Sequence, residues 1–302
     1  MQLINPEVRI ENTNFCNASC AMCTHDTMTR PKGTMDNEFF KDLVKQAKEM
    51  GAELISPFGF GEPLLDLDLE EKIQYCKDLG LETFITTNGS RCFSSRVHDL
   101  FYAGLTHIRF SVHAITKEHY ERVHGNLDWG ITFENLEGTK KIKDTYYSDR
   151  KVSLTVIPMN GETVDEIRNY WEDQVDDLEI WAPHNWSVLK EYRKKTANHL
   201  LSCSRPEKGP IQVQWDGTVI ACCFCTDNEI ILGNAHKESL EEILKGEAYN
   251  DLRARHRIGD FEGLPCENCD QRNIEEESPL LYSSRDEDRN INTTSSMKFN
   301  LK

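Results

Sequence analysis

Residues 7–23, EVRIENTNFCNASCAMC, hold a short run of alternating polar and apolar residues and then a loop with three cysteines. Val8 and Ile10 alternate with polar neighbours as a strand requires, and Asn17, Ala18 and Ser19 are small or polar enough to let the loop wrap tightly. A helix is expected from about Asp36, with Phe40, Leu43, Ala47 and Met50 on one face and Gly51 as its stop. The alternation then recurs. Strands are expected at 53–58, 82–86, 107–112, 152–157 and 178–181, and the stretches between them carry apolar residues at helical spacing, such as Leu69, Ile73 and Cys76. Repeated β-α units imply an α/β fold of parallel strands with right-handed crossovers. Six units suit a partial (β/α)6 barrel better than a closed eight-strand one, with a doubly wound open sheet as the alternative.

After Trp181 the regularity fades, and residues 200–271 hold Cys203, Cys222, Cys223, Cys225, Cys266 and Cys269 among Pro and Gly. The expected division is a barrel over 1–185, a small cysteine-rich domain over 186–274 with a helix between Ser239 and Arg255, and a polar, mobile tail over 275–302. The formal net charge of -16 argues against nucleic acid as a partner, because phosphate affinity needs clustered Lys and Arg. No apolar run is long enough for a membrane span and no signal peptide is visible, so a cytoplasmic location is expected. In a reducing compartment, clustered cysteines bind metal or do redox chemistry more often than they form disulfides.

Cys16, Cys20 and Cys23 supply three thiolates, one short of a closed tetrahedral site. A [4Fe-4S] cluster on three cysteines leaves one iron open to a further ligand; a zinc site completed by His25 is the competing arrangement. Near the C-terminus, Cys266-x2-Cys269 forms one hairpin pair, and the turn at Gly217 leads into a strand that delivers Cys222. With Cys203 these make four ligands.

The CxxxCxxC spacing, with Met22 in the apolar place before the last Cys, resembles the signature of the radical S-adenosylmethionine (SAM) superfamily. Gly59-Phe60-Gly61-Glu62-Pro63 after the second strand resembles that family's GGEP segment, although Phe60 stands where the family has its second Gly. Thr87-Asn88-Gly89 and Ser111 fall where the family contacts the ribose and carboxylate of the cofactor. Each of these elements follows its strand, the end at which barrels carry their active sites.

The resemblance implies that SAM binds through Met22, Gly61, Glu62, Asn88 and Ser111. It also implies reductive cleavage to a 5'-deoxyadenosyl radical, hydrogen abstraction, and a flavodoxin- or ferredoxin-type electron donor. The C-terminal cysteines resemble the SPASM or shorter twitch extension, which implies one auxiliary [4Fe-4S] cluster on Cys203, Cys222, Cys266 and Cys269; a Zn(Cys)4 site is the alternative.

His113, Met159, Asn160, His184, Asn185 and Trp186 lie at strand ends outside the cofactor motifs and are candidate substrate contacts, with packing between barrel and extension as the other reading of His184 and Trp186. Two enzyme classes follow. One is oxidation or epimerisation of a small polar molecule such as a sugar or aminocyclitol, favoured because no N-terminal peptide-recognition domain is visible; the other is modification of a ribosomally made peptide. A non-enzymatic iron-sulfur or zinc scaffold leaves the Gly-Glu-Pro segment and Ser111 without a role. Strand alternation would put Cys223 and Cys225 on one face, as a hydrogen donor or a spare ligand. Cys76 reads as a core residue on its helix, and Cys92 carries no assignment.

Overall fold

The computed structural model describes residues 2–186, 189–193, 200–272 and 279–285. The six expected strands form: β1 (Glu7–Ile10), β2 (Leu54–Ser56), β3 (Glu82–Thr87), β4 (His107–Ser111), β5 (Lys151–Val156) and β6 (Asp177–Trp181). They pair in parallel in the order 1-2-3-4-5-6. A doubly wound sheet reverses direction at a switch point; this order never does, which gives the partial barrel.

The helices over the barrel form where apolar stripes meet capping residues. In α1 (Asn37–Glu49) Asp36 accepts hydrogen bonds from the Glu38 and Phe39 amides, and Phe40, Leu43, Val44 and Ala47 are fully buried. Burial of a side chain such as Leu43 contributes roughly 1.5–3 kcal/mol. Around the sheet follow α2 (Leu69–Asp78), α3 (Ser94–Ala103), α4 (Lys117–His124), α5 (Trp129–Tyr146) and α6 (Val164–Trp171). The sequence reading lacked α4. Its signal is short: Thr116 caps the helix, Tyr120, Val123 and His124 are buried at i, i+3 and i+4, and Gly125 ends it at φ +31.

The extension continues the same sheet. After α7 (Arg205–Lys208), β7 (Ile211–Val213) pairs in parallel with β1, and β8 (Thr218–Ile220) and β9 (Ile231–Asn234) follow as antiparallel neighbours. The single helix expected near Ser239 is two, α8 (Leu240–Lys245) and α9 (Glu247–Ile258), divided at Gly246.

The tail expected from residue 275 contains a strand. β10 (Leu280–Ser283) pairs antiparallel with β6 and covers the other edge of the barrel. Its cause is a short apolar run, Leu280-Leu281-Tyr282, set against an edge that would otherwise expose unpaired backbone groups. Residues 273–278 and 286–302, also expected as part of the domain end and tail, lie outside the described residues. Among the described residues no helix is long and apolar enough to cross a membrane.

Candidate active site

The loop after β1 brings Cys16, Cys20 and Cys23 to one cavity of about 460 Å3 at the C-terminal ends of the strands. Backbone bonds hold it to the end of α4, Ser19 N–H to the Gly125 carbonyl at 3.1 Å and Ala21 N–H to the Val123 carbonyl at 2.8 Å. Burial, then the charges of Glu62 and Cys23, pushes the Cys16 thiol up to about 11, and burial with Cys23 and Cys16 nearby pushes Cys20 well up. His25, the candidate fourth ligand of a zinc site, has its Nε2 2.9 Å from the Asn14 carbonyl and ties the loop back on itself.

The 59–63 loop packs against this turn. A side chain at Gly61 would meet the Thr13 carbonyl at 2.4 Å, so only glycine allows the approach, and the Glu62 amide donates to the Phe15 carbonyl at 2.8 Å. Glu62 is 2% exposed. It accepts from the Thr87 hydroxyl (2.7 Å), the Leu64 amide (3.1 Å) and the Asn88 amide (2.7 Å), so its carboxylate straps the loop after β2 to the end of β3. Burial raises its pKa against the pull of these donors. Asn88 in turn donates to Asn17 of the cysteine loop at 3.0 Å. Glu62→Gln is expected to raise the Kd for SAM about tenfold or more, the worth of a hydrogen bond to a charged group, while iron content stays unchanged. Unaltered SAM binding by calorimetry would mean that the segment is only a turn.

Met22, Gly61, Glu62, Asn88, Ser111, His113, His184 and Trp186 all line the cavity. Met159 does not. It is fully buried against Met22 and Val123, because β5 ends at Val156 and Pro158 turns the chain, leaving Thr155 and Ile157 to face the cavity instead. Asn160 accepts from Arg122, and Asn185 organises its own loop by accepting from the Tyr192 and Arg193 amides at 2.8 Å. The Nδ1 of His113 accepts from the Ile157 amide at 3.0 Å, so its Nε2 carries the proton; burial lowers its pKa to about 3 and keeps it neutral. His184, also lowered by burial, to about 4, packs edge-on to Phe224. Trp186 donates to the Met22 carbonyl at 2.7 Å and meets Phe224 at 5.6 Å, so it both lines the cavity and joins barrel to extension.

A second pocket gathers Cys203, Cys222, Cys225, Cys266 and Cys269. The placing of Cys225 beside Cys223 fails: β8 ends at Ile220, and a turn closed by the Cys225 amide on the Cys222 carbonyl (3.1 Å) follows, so side chains no longer alternate. Cys225 lines this second pocket, where its hydrogen bond is the largest cause of the raised Cys222 pKa. Cys223 alone of the two faces the main cavity. Burial and the neighbouring thiols push Cys266 up to about 12; at Cys269 burial likewise gives about 12, with Asp270 and the neighbouring thiols adding to it. Cys76 and Cys92 are fully buried core residues.

Several residues at the site were missed. Arg30 forms a bidentate pair with Glu11 (2.8 and 2.7 Å), both side chains 3% exposed, and Glu11 also accepts from the Phe60 amide at 2.9 Å. Arg205 and Phe224 line both pockets, with the Arg205 guanidinium over the Phe224 ring and 3.7 Å from the Cys223 sulfur. The paired residues lie far apart in sequence, so no spacing announces them.

The family model of the radical SAM superfamily matches residues 10–172 of the 302, and that of an iron-sulfur cluster-binding domain, SPASM, matches residues 203–270. The chain belongs to the radical SAM superfamily. Its cofactors are SAM and [4Fe-4S] clusters.

Among relatives of this radical SAM protein, an uncharacterised protein of Methanocaldococcus jannaschii is 29% identical over 63% of the chain, a match spanning just 64% of that relative's length. A probable GTP 3',8-cyclase of Saccharolobus islandicus is 25% identical over 80% of the chain and 92% of its own. The fold is shared with BtrN solved in complex with AdoMet and 2-DOIA (TM-score 0.63, 19% identity, 94% of this chain and 100% of that one). It is also shared with Streptococcus suis SuiB bound to its precursor peptide SuiA (TM-score 0.67, 14% identity, 83% and 67%).

Proposed function

We propose that Cys16, Cys20 and Cys23 hold the SAM-binding [4Fe-4S] cluster and that Cys203, Cys222, Cys266 and Cys269 hold an auxiliary one. On this reading the enzyme removes a hydrogen atom from a small polar substrate of the sugar or aminocyclitol kind and oxidises it. The donor sets suit these groups: buried thiols that raise one another's pKa are relieved by a cationic iron-sulfur core, and three of them leave an iron free for the cofactor. When bound, SAM and its cluster supply the radical that takes the hydrogen, and the auxiliary cluster an acceptor for the electron left behind; the net change is a two-electron oxidation with release of a proton.

The observation that carries the reading is the shared wall. One cavity runs from the three-cysteine loop to Arg205 and Phe224, whose other side lines the auxiliary cysteines. Glu62, Gly61 and Asn88 would seat the cofactor, while the Nε2–H of His113 offers the substrate a fixed donor.

The size and charge of the cavity bear on the substrate. About 460 Å3 lies in the lower half of the ~300–1,000 Å3 typical of ligand pockets, and it must take cofactor and substrate together. Of the three arginines that line it, Arg9 and Arg109 have carboxylates of their own, Glu7 at 2.7 Å and Glu179 at 3.1 Å, which leaves Arg205 as the main positive charge toward a triphosphate among the described residues. A small polar molecule, as in the BtrN complex, suits this space better than a nucleotide. The SuiB complex supports a second reading, in which one side chain of a peptide enters the same cavity.

Cys223 favours epimerisation over oxidation if its S–H returns a hydrogen atom to the substrate from the opposite face; one electron and one proton from reductant and solvent then restore the thiol. Turnover in deuterated water separates the two outcomes. Oxidation predicts an oxidised product without solvent deuterium and activity retained in Cys223→Ala. Deuterium in an unoxidised product, with turnover lost and both clusters intact in that variant, would replace oxidation by epimerisation.

A further inference from the structure

His124, at the end of α4, is 1% exposed and touches the cysteine loop through its ring. Its Nε2 lies 3.0 Å from the His113 backbone nitrogen, which can only donate. The Nε2 is therefore the acceptor, and the proton of the neutral ring sits on Nδ1. That nitrogen is 3.5 Å from the sulfur of Cys20. The ring is held in place by stacking on His113 (4.9 Å, 9°) and on Tyr120 (4.3 Å), whose hydroxyl is bonded to Thr132 at 2.8 Å.

The three cysteines differ in their donors. The backbone groups of Ala18 and Asn17 hold the Cys16 thiol down against its burial, and the His25 backbone N–H donates to Cys23 at 3.4 Å. Cys20 instead has the His124 ring on one side and the His124 carbonyl at 3.9 Å. A thiolate has no proton to give that carbonyl, so among the described residues Nδ1–H is the donor that faces it.

We propose that His124 is a positioning residue for the SAM-binding cluster: its Nδ1–H donates to the Cys20 thiolate and makes that cluster easier to reduce. A donor aimed at a ligand sulfur offsets negative charge, and offsets more of it in the reduced state, which carries one more electron. The backbone amide of His113, by fixing the tautomer, sets the direction of that dipole, as outer partners do for ligand groups elsewhere. The inference rests on Cys16, Cys20 and Cys23 being the cluster ligands, and needs no knowledge of the substrate.

The test is an EPR-monitored redox titration of the reconstituted protein without SAM, the relevant cluster being assigned by its spectral change when SAM is added. His124→Gln keeps an acceptor near the His113 amide but removes the donor to sulfur; His124→Asn keeps an N–H near the sulfur; His124→Phe keeps the stacked ring alone. The Gln and Phe variants are expected to show about a tenfold loss in the reduction equilibrium of the SAM-binding cluster, ~59 mV for one electron, while Asn stays nearer to wild type. The auxiliary cluster should keep its potential in all three. An unshifted midpoint in His124→Gln with full cluster content overturns the proposal. So does a parallel shift of both clusters, or loss of the SAM-binding cluster alike in Gln and Asn, which would make the ring a mere prop for the loop. If wild type itself gives no SAM-sensitive signal, the ligand assignment is what fails.

Discussion

Replacing Cys16, Cys20 and Cys23 together with alanine is expected to remove about half of the iron from anaerobically reconstituted protein and all reductive cleavage of SAM. The three sulfurs share one loop at the mouth of the barrel, whereas Cys203, Cys222, Cys266 and Cys269 lie in a separate pocket behind Arg205 and Phe224. Iron at the second set should therefore survive loss of the first. The loop itself should also survive, because its hydrogen bonds to Val123 and Gly125 come from backbone groups that alanine retains. Iron analysis and 5'-deoxyadenosine formation under a strong reductant read the two halves of the expectation separately. Cleavage persisting in the triple variant would refute the assignment of that loop as the SAM-binding site.

Arg30→Ala should be among the most damaging single changes, destabilising the protein by about 3–5 kcal/mol. The guanidinium gives two bonds to Glu11 and a third, from Nε, to the Thr226 carbonyl at 2.9 Å. Its removal leaves a buried carboxylate with the Phe60 amide at 2.9 Å and a long contact from the Trp215 amide at 3.4 Å, too little to hold a charge away from water. The same change removes the Thr226 bond from the contacts that hold the extension's 226–227 turn to the barrel, while the Thr29 and Arg30 amides still donate to Asp227 at 2.7 and 2.9 Å. Denaturant unfolding of Arg30→Ala beside the double variant Glu11→Gln, Arg30→Met tests the cause. If the stranded carboxylate dominates, the double variant recovers part of the loss; equal losses would point instead to the Thr226 contact.

What was legible in the sequence was local. The six parallel strands have their own periodicity, and the cysteine loop and Gly61-Glu62 are recognised by spacing within a few residues, so each could be read without knowing its neighbours. Met159 shows the limit: parity along a strand predicts a direction only while the strand lasts, and this one stops at Val156. The alternation assumed for Cys223 and Cys225 failed for the same reason, since β8 had ended at Ile220. Glu11 with Arg30, and Cys20 with His124, meet only after folding, and nothing in their separations marks them as partners. β10 was lost because four residues in a polar stretch carry little pattern; the open edge of β6 that recruits them exists only in the folded sheet.

The sheet order has a consequence for synthesis. Both edges of the six-strand barrel are covered by segments from the last third of the chain, β7 on one side and β10 on the other. While the ribosome is still at work, the half-barrel has two bare flanks. The first is covered by β7, β8 and β9 once residue 234 has emerged, and the second stays open until residue 283 has followed. For that interval the nascent chain offers backbone donors and acceptors to any strand that passes, including one from another copy. Slowed translation or premature termination between those two points should therefore send the product into aggregates, even though every residue of the three-cysteine site has already been made.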